Sequence, residues 1–144
     1  MPYFTIDTST IISRKLLDLP DNFLFSSVVL MELMAGANDD SRQKAWQRAY
    51  REYEKDNSLI VPDVEDWLMS SKVLYWLTNA RKKKAKGKSP KLKQGATQRM
   101  ALDVLLAVSA RRWRTTVITD NWADFRAIQY YCDVKLVKAS EFFK

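Results

Sequence analysis

Five short β-prone runs alternate with longer stretches of helical pattern, and this alternation constrains the fold more than any other feature of the chain. Residues 3–6, 23–27, 58–61, 115–119 and 134–137 are apolar, aromatic or β-branched. Helices are expected over Thr8 to about Arg14, Val28 to Ala35, about Asn38 to Lys55, Asp63 to about Ala80, about Gln98 to Arg112, and from Asn121 onward. Local signals agree: Pro20-Asp21-Asn22 is a turn, Ser26 or Ser27 can cap a helix that Gly36 stops, and Pro62 closes the third strand. Strands joined through helices become parallel neighbours. The expected architecture is therefore α/β, a three-layer α/β/α sandwich with a central, mainly parallel five-stranded sheet. At 144 residues the whole chain is expected to form one domain, with a short tail over Ser140 to Phe143.

The composition excludes much chemistry. There is no histidine, which removes Ser-His-Asp and Cys-His nucleophile systems and nearly every zinc site. The single cysteine, Cys132, permits no intramolecular disulfide. Any metal must then be held by oxygen, which points to Mg²⁺ or Mn²⁺. No apolar run is long enough to span a bilayer, and Met1 to Asp7 lacks the basic region and apolar core of a signal peptide, so a cytoplasmic setting is expected.

Charge is unevenly distributed. Residues 1–80 carry 8 Lys and Arg against 12 Asp and Glu, whereas residues 81–144 carry 16 against 5, for a net charge of +7. The densest run is 81–93, where Arg81, Lys82, Lys83, Lys84, Lys86, Lys88, Lys91 and Lys93 stand without an acid. Gly87, Pro90 and Gly95 make at least its second half a loop. Such a run is either a solvated segment or an arm that tracks nucleic-acid phosphates, and the absence of acids favours the arm. By contrast, Trp46, Tyr50 and Tyr53 fall on one stripe of a helix and are read as a packing face rather than a base-stacking surface.

Four acids stand where structure alone would not put them. Asp7 and Asp120 end apolar strands, and Glu32 and Asp103 lie within helical segments otherwise apolar on all sides. An isolated carboxylate is costly to bury. Asp7 and Asp120 could cap helices, and Glu32 and Asp103 could pair with cations. If they instead converge, two carboxylates about 5 Å apart repel by roughly 3 kcal/mol at an effective dielectric near 20, and divalent cations relieve that repulsion. Carboxylate-held cations support phosphodiester hydrolysis without histidine.

The motifs Ile6-Asp7-Thr8-Ser9, Ser27 through Glu32-Leu33 to Gly36, Asp103-Val104-Leu105-Leu106-Ala107 and Thr119-Asp120-Asn121-Trp122-Ala123-Asp124-Phe125 resemble, in order and spacing, the PIN domain and its VapC-type toxins. The resemblance spans essentially the whole chain. It implies a Mg²⁺ or Mn²⁺ site built from Asp7, Glu32, Asp103 and Asp120 that cleaves single-stranded or loop RNA. It also implies a further acid at Asp124, nearby hydroxyls at Thr8, Ser9 and Thr119, a homodimer, and a small antitoxin whose C-terminal segment blocks the site. The 81–93 run is longer and more basic than this pattern, and residues 38–80 match no motif of it. Two other readings stand beside it: a receiver-like phosphoacceptor domain, with Asp63 after the third strand, and a PIN-like module that binds RNA without cutting it.

Overall fold

The computed structural model describes residues 2–16, 18–84 and 95–144. Its elements run β1 (Tyr3–Ile6), α1 (Thr8–Arg14), β2 (Phe25–Ser26), α2 (Ser27–Ala35), α3 (Asp40–Lys55), β3 (Leu59–Ile60), α4 (Val64–Lys84), α5 (Ala96–Arg112), β4 (Thr115–Thr119), α6 (Trp122–Cys132), β5 (Leu136–Lys138) and α7 (Ala139–Phe142). Among the described residues every strand pairing is parallel, as the alternation requires.

The five expected strands divide over two ladders. One sheet has the order β1-β4-β5, and β2 pairs with β3 in a second. A single parallel bridge between Phe4 and Phe23 joins them, where Leu24 N–H donates to the Phe4 carbonyl at 2.8 Å. The far end of β2 is closed at Ser26. Its hydroxyl accepts from Val28 N–H at 3.1 Å and starts α2 at Ser27, so β2 ends after two residues.

Other boundaries depart from expectation for equally local reasons. Helix α4 runs four residues past Ala80, because Arg81, Lys82, Lys83 and Lys84 propagate a helix well and suit its C-terminal dipole. The expected loop in the second half of 81–93, with Lys86, Lys88, Lys91 and Lys93, lies outside the described residues. Strand β5 starts at Leu136 rather than Val134, since Asp133 turns the chain with φ 53° and the Gln129 side chain takes the Val134 carbonyl at 2.8 Å.

The core is built from Ile6, Val29, Leu30, Val73, Val104, Leu106, Val117, Ile118, Phe125 and Ile128. Helix α2 is buried through Val28, Val29, Leu30 and Leu33, but Met31 is half exposed, so it is not enclosed on every side. Trp46, Tyr50 and Tyr53 of α3 pack on this core, with Trp46 and Tyr53 edge-on to Phe25 at 6.2 and 5.1 Å. They form the packing face that their spacing implied.

Asp63 is exposed just after β3, but its carboxylate is already engaged. Its carboxylate accepts from Asp66 N–H at 2.8 Å and pairs with Arg112 at 3.2 Å, while Asp63 N–H donates to Asp66 at 3.0 Å. The receiver-like reading thereby loses its phosphoacceptor to a helix cap. Arg112 also reaches buried Asp66 at 2.8 Å and the Val61 carbonyl at 2.8 Å, clasping the end of α5 to the start of α4. Replacing Arg112 with Met should leave Asp66 buried without its cation and lower the unfolding free energy by about 2 kcal/mol in urea titrations.

Candidate metal centre

The site is assembled where β1 and β4 end side by side. Their register sets Ile6 opposite Ile118, and Asp7 N–H donates to the Ile118 carbonyl at 3.5 Å. Asp7 is 1% exposed and occupies the position before α1, yet its side chain caps no backbone N–H. Its carboxylate accepts instead from the Ser9 hydroxyl at 2.7 Å and from the Thr10 hydroxyl. Burial pushes its pKa up, and the hydroxyls of Thr10, Ser9 and Thr119 pull it partly back. Thr10 also accepts Asp120 N–H at 2.9 Å, so one hydroxyl ties the two strand ends together.

Glu32 of α2 has no cationic partner among the described residues. Its carboxylate accepts from the Thr8 hydroxyl at 2.8 Å, and its pKa is raised by burial and by Asp7. Asp103 of α5 is the most perturbed acid. Burial, then the charges of Asp7, Glu32 and Asp124, push it up to about 7, against a small opposing effect of Arg99. The Asn121 amide stands 3.5 Å from Asp103. Glu32, Asp103, Asn121 and Asp124 line a cleft of about 610 Å³, and Arg81 and Arg99 line it too. A larger hollow of about 840 Å³ lies along α3 beside Lys44, Arg48 and Arg51, and holds none of these acids.

Asp120 is placed differently from the other three. It also lines the cleft, but its carboxylate is gripped by Arg14 at 2.6 and 2.8 Å, and its pKa is lowered first by that hydrogen bond. The charge of Asp124, by contrast, acts on Asp103 and helps to raise its pKa. The structure thus brings Asp7, Glu32 and Asp103 together with Asp124 and Asn121, and turns Asp120 toward Arg14. Sequence reading passed over Thr10 and Arg14, although both recur from Asp7 at the three- and seven-residue spacing of one helix face.

The donor set suits a hard divalent cation: carboxylate and amide oxygens, with hydroxyls orienting them and no sulfur or imidazole. Among the described residues no three acidic side chains already stand at the spacing of one metal ion. Asp7, Glu32 and Asp103 would hold the cation, with Asp124 next to them.

Neither a protein-family profile nor a curated protein sequence matches the chain. Solved structures do. A chain of the DNA-bound VapBC structure from Salmonella typhimurium superposes with a TM-score of 0.53 and 16% identity, over 96% of this chain and 98% of that one. A chain of FitAB bound to an IR36 DNA fragment superposes with a TM-score of 0.56 and 17% identity, over 94% of each.

Two measurements follow from the electrostatics. Between its ordinary value of 3.8 and about 7, Asp103 keeps a proton in the folded protein that it has lost in the unfolded chain. Unfolding then releases a proton, so stability of the metal-free protein should fall as pH rises through this window and level off above about 7. Thermal unfolding in EDTA should show that loss, and Asp103→Asn should flatten it. Asp7→Asn should retain the circular dichroism of the fold while losing the rise in Tm expected of the unsubstituted protein on adding Mn²⁺ at pH 8. The architecture around this site is the PIN-type fold shared with the VapBC and FitAB structures.

Proposed function

We propose that this chain is a divalent-metal-dependent endoribonuclease, the toxin of a VapBC-type toxin–antitoxin pair, formed as a single PIN-like nuclease domain over residues 1–144. The observation that carries this reading is Asp103, a carboxylate of a largely apolar helix whose pKa is raised by burial and by three other acids. A fold stabilised only by its packing has no use for such an arrangement, whereas a cation-binding site requires it. The likeness of fold to VapBC and FitAB supports the same assignment.

In this reading Asp7, Glu32 and Asp103 hold Mg²⁺ or Mn²⁺, and Asp124 supplies a further oxygen. When bound, such a cation activates water and stabilises the charge that develops on the phosphate and the leaving oxygen. The chain's own groups prepare the site. Thr8 fixes Glu32, Ser9 and Thr10 fix Asp7, and burial keeps water from screening the carboxylates. Arg81 and Arg99 in the cleft lining, with Lys82, Lys83 and Lys84 continuing α4, attract the RNA backbone without reading its sequence. Lys86, Lys88, Lys91 and Lys93 would extend that track. A cognate antitoxin and a second copy of the chain are the proposed partners.

A module that binds RNA without cutting it is the second reading, favoured by the acids' not yet sharing one metal-binding distance among the described residues. Incubation of the purified protein with single-stranded RNA separates the two. Mg²⁺ or Mn²⁺ should produce discrete fragments and EDTA should abolish them. Asp103→Asn should slow cleavage by about 10²-fold or more. Retained RNA without product at any metal concentration would leave only the binding module.

A further inference from the structure

Arg81 and Arg99 line the cleft and bond to no acid among the described residues, whereas Arg14, next in sequence to the cleft residue Ser13, is paired with Asp120, which also lines it. Its Nε donates to one oxygen of Asp120 at 2.6 Å and its Nη2 to the other at 2.8 Å, a two-point grip across a chain separation of 106 residues. The pair is open to solvent, with the side chains of Arg14 and Asp120 30% and 37% exposed. The guanidinium lies 5.9 Å from the Phe143 ring centroid, and Asp120 N–H is tied to Thr10. Both its neighbour Ser13 and its partner Asp120 line the cleft that Glu32, Asp103 and Asp124 also line.

An exposed ion pair contributes little to stability, so holding the fold together is a weak reason for this geometry. The planar fork that grips two carboxylate oxygens grips two phosphate oxygens equally well. We propose that Arg14 is a phosphate-binding residue for the RNA strand cut at the acid cluster, and that Asp120 occupies its fork in the free protein. Asp120 is then a placeholder for the substrate phosphate rather than a ligand of the cation. A strand entering the cleft displaces the carboxylate, which needs only to rotate into solvent because its backbone is pinned by Thr10. The inference rests on the nuclease reading for the identity of the strand, and on the ion pair alone for the identity of the site.

The experiment measures binding of a fluorescein-labelled single-stranded oligoribonucleotide by anisotropy, in EDTA so that nothing is cut, over a series of salt concentrations. Asp120→Asn frees the fork and should tighten binding by about threefold or more, with a salt slope steeper by about one phosphate contact. Arg14→Ala and Arg14→Gln should weaken binding, and Arg14→Lys should recover it only in part. In the Arg14→Ala background Asp120→Asn should no longer tighten binding, which separates a specific exchange from the mere loss of a negative charge. The proposal is overturned if Asp120→Asn leaves affinity unchanged or lower, if its gain persists without Arg14, or if neither protein binds RNA. Calorimetric titration with Mn²⁺ adds an independent arm. Asp120→Asn should keep wild-type affinity for the ion, and its loss would make Asp120 a ligand and end the placeholder reading. Failure of the nuclease reading shows elsewhere, as Asp103→Asn protein that still binds Mn²⁺, and leaves the Arg14 comparison readable.

Discussion

The parallel pairing of β1 with β4 is the constraint on which the site depends. With Ile6 opposite Ile118, the two strands end level, and residues on either side of Asp7 and Thr119 meet at one edge of the sheet. A slip of one residue would turn Asp7 to the opposite face and bury Ile6 where the carboxylate now lies. The hydroxyl of Thr10 secures the junction by serving Asp7 and the Asp120 amide together. Helices α2 and α5 then deliver Glu32 and Asp103 to the same edge, which is where open α/β sheets place their sites.

Around that edge the chain solves an electrostatic problem in an uneven way. The inner carboxylates receive hydroxyl donors, from Thr8 to Glu32 and from Ser9 and Thr10 to Asp7, rather than cations. Hydroxyls orient oxygens and satisfy lone pairs, but they leave the charge in place, and the raised pKa of Asp103 is the result. The guanidinium groups stand apart from them instead, Arg81 and Arg99 lining the cleft and Arg14 paired with Asp120. A permanent cation inside would cancel the attraction for Mg²⁺ or Mn²⁺. Cations set apart leave that attraction intact and add one for phosphate. This separation of unlike charges, kept by the fold at some cost in stability, is what the proposed hydrolytic site for a polyanion would require.

Much of the framework was legible in the residues. The order of strands and helices followed from runs such as Thr115–Thr119 and from caps such as Ser26, because these signals act over a few residues. Glu32 and Asp103 stood out because an acid within an apolar helix is conspicuous at any length of sequence. Less legible was the division of the sheet, since Phe23–Ser26 carries a strand pattern throughout while only two residues stay in the ladder once Ser26 begins capping α2. The extension of α4 through four basic residues was hidden for a related reason. The helix was expected to end near Ala80, whereas basic residues suit the dipole at that end and carry it to Lys84.

The sequence by itself determined the kind of chemistry: no histidine, one cysteine, and acids at Asp7, Glu32 and Asp103 in elements that must bury them. It determined that any cation would be held by oxygen. Tertiary structure alone decided how the two acids near the end of β4 are held. Asp120 and Asp124 are both consistent with the local pattern, and their spacing does not say which way either side chain turns. Arg14, distant in sequence and adjacent in space, grips Asp120, while the charge of Asp124 acts on Asp103 and the Asn121 amide stands 3.5 Å from it.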